Sequence, residues 1–536
     1  MTVATSILGS SRIGTQRYNQ ARSAPARCVS LRAPLAYTVK HREGEPTDPE
    51  KLQEWQKERI ERRLKDEYQS SLKRLGELGI SCLPDVHSRM QIHASMDSTA
   101  RVADVHVQGN TRTRSSFLGY IINPHLKNTT STPKPETLED VLNRVHRISD
   151  TLERTDIFHS VRVTLERSRS PLAGSNDVDV TYNVRDRPRM FLKGSTETGN
   201  GEGSATAIAR MRNAFGGAET LEGSISYGTR TRQAFQVRLE APITPTLMTR
   251  GELSAFKFER DQTSFASSHE GVTGFKATLR RPTALGLHEL SYEFSRRRIK
   301  NLTPAASISV REAAGPTVKS SISHILVRDT RDGTIASPVG SFLKWTSEYY
   351  GAQELAGVGG GDASFVKTEV ETHVSRPLPF VSGTTVSFGL RSGILVPTFG
   401  RKSLFCDRFY LGGPTSVRMF KQNGLGLKDR ADSLGGELFW SAGLSFISDI
   451  PRKSHWPLKS HIFFNAGRLD MLDRYRATDA ALLREFFARP SVSAGVGLIY
   501  RFDPIRLEVN FGVPLVAAKS DWARKGVQVG IGLEFL

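Results

Sequence analysis

The sequence predicts an all-β transmembrane barrel of about sixteen antiparallel strands, preceded by one small α/β domain and an N-terminal helix. Three observations lead there. Glycine usage changes abruptly: of 46 glycines, 8 fall in residues 1–188 and 38 in residues 189–536. From Met190 onward, apolar and polar residues alternate with period two in segment after segment. Before that point the pattern is mixed, two helical stripes set among three alternating runs.

Residues 1–48 form a basic segment. Arg12, Arg17, Arg22, Arg27, Arg32, Lys40 and Arg42 occur among serines and threonines, with no acid before Glu43. Organelle transit peptides have this composition, and so do disordered basic tails. Residues 49–80 read as a helix. Asp48 can cap it, Pro49 suits its first turn, and Gly76 and Gly79 can end it. Leu52, Trp55, Ile60, Leu64, Tyr68, Leu72 and Leu75 make its apolar stripe, fit for the neighbouring domain, a partner helix or a membrane surface.

Residues 101–188 read as a β-α-α-β-β unit. "RVADVHVQG" alternates as a strand, a polar helix pattern follows around Thr113–Ile121, and "TLEDVLNRVHRISDTLERT" places Leu138, Val141, Leu142, Val145 and Ile148 on one face. "FHSVRVTLE" and "DVDVTYNVRD" supply two more strands. Two helices on such a sheet bury one face and leave an edge able to accept an added peptide strand.

Residues 189–536 are the predicted barrel. "LEGSISYG" sets Leu221, Ile225 and Tyr227 against Glu222, Ser224 and Ser226; "IRLEVNFGV" sets Leu507, Val509 and Phe511 against Arg506, Glu508 and Asn510. "FQVRLEA", "TVSFGLRSGI" and "VQVGIGLEF" repeat the theme. Period alone also admits a soluble sheet with an apolar core face. Length favours the barrel, since about 9–11 residues cross a bilayer as a tilted strand. The mean hydropathy of −0.34 agrees, because half of each barrel strand faces a polar lumen. No stretch approaches the roughly 18 apolar residues of a spanning helix.

Catalytic patterns are missing: there is no GxSxG, HExxH, CxxC or phosphate-binding loop. "GVGGGD" (Gly357–Asp362) reads as a glycine-rich turn. Cys28, Cys82 and Cys406 are too far apart for a zinc site or a disulfide framework. No enzyme activity, metal or cofactor is expected. The net charge of +19 allows acidic partners or anionic lipid, but the charges are dispersed and no nucleic-acid module is present. One loop is unusual. "DRFYLGGPTSVRMF" (Asp407–Phe420) is half apolar, breaks at Gly412-Gly413-Pro414, and carries Arg418 near its tip.

That loop resembles the signature loop of the BamA-type superfamily of β-barrel insertases, and most of the chain follows. Residues 101–188 resemble a single POTRA domain. "FLKGSTETGNGEGSA" and "RNAFGGAET" resemble the first barrel hairpin, and "RDTRDGTIASPVGSF" and "GVGGGDASFVKTEVE" the middle strands. "FFNAGRL" (Phe463–Leu469) resembles a late strand motif facing the loop. Room for only one POTRA-like unit and a final Gln528, Gly530, Leu533, Phe535 pattern, similar to a mitochondrial β-signal, point to the core-subunit family of the mitochondrial sorting and assembly machinery (SAM).

The resemblance implies a loop folded back into the lumen, with Arg408, Phe409, Gly412, Gly413, Arg418 and Phe420 as its key residues. Facing lipid, an arginine costs about 2–4 kcal/mol at the midplane; in a polar lumen it can pair. Two departures stand out. Met419 replaces a family glycine, and Asn465 stands where many relatives have an aspartate. Arg418 is therefore expected to hydrogen-bond Asn465 or to use another acid, such as Glu369 or Glu371. The resemblance further implies insertion of unfolded β-barrel precursors through a lateral gate. Its edges would be the first strand (Phe191, Lys193, Gly194) and the last (Gln528, Gly530, Gly532, Leu533, Phe535). Accessory SAM subunits and membrane lipid would be partners. The location would be the mitochondrial outer membrane, with the POTRA-like domain in the intermembrane space. A polypeptide-translocating barrel of the same superfamily is the alternative.

Overall fold

A computed structural model describes residues 98–532, apart from 128–136, 169–170, 172, 175, 200–201, 333–338, 352–361, 363, 380, 382, 451–452, 454–455, 473–483, 485 and 503–504. The basic segment, the helix expected over 49–80, most of the "GVGGGD" turn, and Leu533 and Phe535 lie outside the described residues.

The chain divides into two compact units. The described part of one is small: the Leu138 N–H donates to the Ser98 carbonyl (2.9 Å), and the Thr137 hydroxyl accepts from the Asp140 N–H (3.3 Å), a helix-start cap. The other unit holds the rest.

The β-α-α-β-β order is present as β1 (Arg101–Gln108), α1 (Ser115–Lys127), α2 (Leu138–Arg154), β2 (Phe158–Arg167) and β3 (Asp177–Asp186), with sheet order β1-β3-β2. Val145, Ile148 and Leu152 recur at helical spacing on α2. They are buried, as are Leu118, Ile121 and Ile122 of α1 and Val180, Tyr182 and Val184 of β3. The Tyr182 hydroxyl donates to the Val145 carbonyl (3.1 Å), so this fully buried hydroxyl is satisfied.

The remaining strands form one sixteen-stranded antiparallel sheet. In chain order they are β4 (Met190–Gly199), β5 (Glu202–Arg212), β6 (Thr220–Gly228), β7 (Thr231–Pro242), β8 (Arg250–Asp261), β9 (His269–Thr283), β10 (Gly286–Lys300), β11 (Gly315–Asp329), β12 (Gly340–Tyr350), β13 (Phe365–Pro377) and β14 (Thr384–Pro397). A two-strand loop hairpin, β15 (Lys428–Asp429) and β16 (Asp432–Ser433), intervenes. Then come β17 (Leu438–Asp449), β18 (Leu458–Asp470), β19 (Ser491–Phe502), β20 (Ile505–Val516) and β21 (Gly526–Gly532). Each barrel strand pairs with its sequence neighbour, β14 with β17. Single turns of helix, α3 (Thr263–Ala266) and α4 (Ile308–Glu312), lie in connections.

The alternation resolves in the membrane sense. Ile225, Tyr227, Val237, Phe388, Val509 and Phe511 are exposed on the outer wall, while Glu222, Ser387, Glu508 and Asn510 are buried on the inner one. A soluble sheet would bury the first set instead.

Connections differ at the two ends. The β5–β6 and β7–β8 turns lie against the small domain: the Arg114 N–H donates to the Gly216 carbonyl (2.8 Å), and the Tyr120 hydroxyl to the Ile243 carbonyl (2.7 Å). The opposite end carries the long connection 398–437, between β14 and β17.

Candidate functional site

Much of the connection 398–437 is buried, and it fills part of the lumen. The cause is legible in its residues. Phe409, Leu411, Val417, Phe420 and Leu425 bury against Tyr350, Phe365, Leu395, Phe439 and Leu469, the inward apolar residues of β12, β13, β14, β17 and β18. Inward apolar residues would sit poorly in a wet lumen, and the loop covers them.

The loop is pinned at both ends by buried arginines. At its start, Asp407 meets Arg297 of β10 in a two-pronged pair (2.7 and 2.8 Å), with both side chains 2% exposed. Arg297 also donates to the Tyr350 hydroxyl (3.0 Å), and Lys367 of β13 donates to the Asp407 carbonyl (2.8 Å). Phe409 then forms a two-bond bridge with Gly436 (2.8 and 2.9 Å) and packs on Phe439. Arg408 donates to the Ser403 hydroxyl (3.0 Å) and Leu434 carbonyl (3.2 Å), tying the loop to itself.

The turn needs its glycines. Gly412 and Gly413 have φ of +108° and +122°, and a Cβ on Gly412 would lie 2.6 Å from the Leu425 side chain. Beyond the turn, Arg418 is fully buried. Its Nε and Nη2 donate to the two Glu508 oxygens (3.0 and 3.3 Å), and its Nη1 donates to Asn465 Oδ1 (3.1 Å). Asn465 is thus one partner, and the acid is Glu508 of β20. Glu369 and Glu371 are placed elsewhere, at 3.0 and 3.9 Å from Arg391 of β14.

Glu508 serves two cations, since Arg506 reaches its Oε1 at 2.5 Å, and it also accepts from Asn510 (3.0 Å). A carboxylate so supplied offsets the desolvation of its partners. The loop tip lies on a flat floor: a Cβ on Gly467 would meet Val417 at 2.8 Å, and one on Gly512 would meet Met419 at 3.1 Å.

The tip also grips the last strand. The Gln528 carboxamide of β21 accepts from the Met419 N–H (2.9 Å) and donates to the Phe420 carbonyl (2.9 Å). Arg524 N–H donates to the Met419 carbonyl (2.9 Å), and Lys421 N–H to the Trp522 carbonyl (3.0 Å). Met419 holds a left-handed conformation, φ +64°, that a glycine would adopt without strain. Its side chain is fully buried.

The sheet's two ends meet without joining. β4 and β21 come within 8 Å between Cα atoms, yet among the described residues no hydrogen-bonded ladder connects them. Paired strands lie about 4.8 Å apart. On β4, Met190 and Leu192 are more than three-quarters exposed, Phe191 and Lys193 are also exposed, and a Cβ on Gly194 would meet nothing within 4 Å. On β21, Gln528 and Gly530 are buried on the inner wall, while Val527 and Val529 face outward.

Glu508 and the Arg297–Asp407 pair escaped sequence reasoning. The signal for Glu508 was its place on the polar face of "IRLEVNFGV"; for Arg297, a lone arginine on the inward parity of β10. Neither spacing discloses a partner some 90 or 110 residues away.

Comparison with known proteins agrees with this fold. Residues 213–535 match the Omp85 superfamily domain. A SAM50-like protein of Schizosaccharomyces pombe is 33% identical over 440 residues, covering 81% of this chain and 90% of that protein. Sorting and assembly machinery component 50 homolog A of Xenopus laevis is 33% identical over 441 residues, with the same coverage. Among solved structures, BamA from Haemophilus ducreyi superposes with a TM-score of 0.64 at 16% identity, over 81% of this chain and 84% of that one.

Proposed function

This chain belongs to the Omp85 superfamily, and we propose that it is the core subunit of the SAM complex, folding β-barrel precursors into the mitochondrial outer membrane through the β4–β21 joint. The observation that carries the reading is the unladdered meeting of β4 and β21.

The physics is that of an unsatisfied edge. Each unpaired backbone group in hydrocarbon costs several kcal/mol, so exposed donors and acceptors on β4 favour any strand that pairs with them. A precursor's terminal strand satisfies that edge, and its own far edge then receives the next hairpin. Gly530 and Gly532 weaken β21, by about 0.5–1 kcal/mol each, which eases its displacement. Burial of apolar strand faces in lipid and completion of ladders drive the sequence, without covalent chemistry or nucleotide. Residues 101–188 act as a POTRA domain in the intermembrane space, and accessory SAM subunits complete the complex.

The translocating-barrel alternative requires an open lumen. The loop pinned by Arg297–Asp407 and Arg418–Glu508 obstructs one, and this favours the insertase reading. The test is cysteine pairing in isolated mitochondria, with single cysteines from Phe191 to Thr196 against cysteines in the terminal strand of an arriving precursor. Crosslinks confined to one register are expected. Their absence during productive assembly overturns the lateral route.

A further inference from the structure

The outer wall should be apolar where it meets lipid, and on β9–β12 it largely is: Phe275, Leu279, Leu290, Ile322, Leu343 and Trp345 are all exposed there. A polar island interrupts it toward the short-turn end. His288 of β10 and His324 of β11 lie on the outward parity, as Leu290 and Ile322 do. Their Nδ1 and Nε2 atoms are 3.1 Å apart and their rings stack at 5.3 Å. Trp345 stands edge-on to His324, centroids 6.4 Å apart.

Two arginines flank the pair. Arg281 of β9 is the register partner of His288, and Arg328 of β11 is the register partner of Leu343. Both are exposed. Among the described residues neither guanidinium has an acid partner, and no acid occupies an outward position on this part of β9–β12.

The height of the island follows from β10. Leu290, Tyr292 and Phe294 separate His288 from Arg296 on the same outward parity. Eight residues at about 3.3 Å each, tilted by roughly 40°, rise about 20 Å, a little less than the ~25 Å apolar band of such barrels. The span is close to the height of the band, so His288 and Arg296 lie near its two edges, which puts the island beside the headgroups. Interfacial tryptophan is at home there.

We propose that Arg281, His288, His324 and Arg328 form a binding site for the phosphate headgroup of an anionic phospholipid, in the leaflet on the short-turn side. The guanidiniums supply fixed charge and paired donors, the imidazole pair supplies the one N–H not spent between its rings, and the acyl chains lie along Leu279, Leu290 and Ile322. Zwitterionic lipid offers the same phosphate but brings a cation that two arginines repel.

The test uses the full chain reconstituted in phosphatidylcholine vesicles, with brominated phosphatidylglycerol or brominated phosphatidylcholine as quencher. The Trp345 signal is isolated by subtracting the Trp345→Phe variant. Quenching several-fold stronger by the anionic lipid is expected. That preference should vanish in Arg281→Gln/Arg328→Gln and persist in Arg281→Lys/Arg328→Lys, with heat-modifiable migration confirming the fold of each. Equal quenching by both lipids, an undiminished preference in the glutamine variant, or displacement by millimolar inorganic phosphate would each overturn the assignment.

Discussion

A single residue shows how two local rules compete at the loop tip. Met419 adopts φ +64°, a conformation that costs a non-glycine residue about 1–2 kcal/mol. Yet its side chain is fully buried, and removing such a side chain costs about 2–5 kcal/mol. The cavity outweighs the strain. Met419→Gly, although it restores the family residue, should therefore lower stability by about 1–3 kcal/mol on balance, seen as a lower thermal transition and faster proteolysis of the loop. A stabilised variant would mean that the packing around Met419 is adaptable. Lys428 shows a second competition. Burial lowers its ammonium to about 8; Asp521 opposes the shift and Lys421 adds to it. Its Nζ has no hydrogen-bond partner among the described residues and lies 3.9 Å from the centre of the Trp522 ring. Because the folded state holds this proton less tightly than the unfolded chain, stability should rise as pH increases from about 8 toward the ordinary lysine value of 10.5. Lys428→Met should abolish that rise, and a rise that survives would assign it to another group.

Among elements, β21 is the one whose seat depends on a loop. Its ladder to β20 runs from Gly526 to Gly532, with Gln528 near the middle. The Gln528 carboxamide matches a donor and an acceptor of the loop backbone at once, a pattern that neither glutamate nor leucine reproduces. Gln528→Leu leaves the Met419 N–H and the Phe420 carbonyl without this partner, at about 1–3 kcal/mol for each group left unsatisfied. Hydrogen exchange should then accelerate in residues 418–421 and in β21 together, while β17 and β18 hold. Acceleration in β21 alone would show that loop and strand are not coupled. The strands themselves were legible, because period-two alternation is a local property of side chains on a pleat. The entry of the loop was legible only in part. Its apolar content and Arg418 were plain, and Asn465 lay in a recognisable motif. Choosing Glu508 over Glu369 or Glu371 required knowing which inward residue stands beneath the tip, and that depends on registers accumulated across the wall.

For the whole molecule, the proposed lateral route requires the wall to open where its ties are fewest. From β5 to β10 the inner face carries an unbroken alternation of charge. Arg210 meets Glu222 (2.6 Å), Glu222 meets Arg238 (2.7 Å), Arg238 faces Glu252 (3.8 Å), and Arg280 joins Glu252 (2.7 Å) to Glu289 (2.9 Å). The loop braces the region between β10 and β20 through Arg297–Asp407 and Arg418–Glu508. At β4–β21 no ladder among the described residues adds to these, and the proposed lateral route places the opening at this joint. Covalent closure of this one place should then stop precursor assembly with the rest of the barrel intact. Cysteines introduced at Leu192 or Gly194 together with Val529 would be oxidised in isolated mitochondria, and the assembly of an imported porin followed. Assembly should fall at least tenfold on oxidation and return on reduction, whereas a disulfide placed within the β13–β14 ladder, already closed by hydrogen bonds, should leave it unchanged. A barrel sealed at β4–β21 that still assembles porin at the normal rate cannot be using its edge strand as the template.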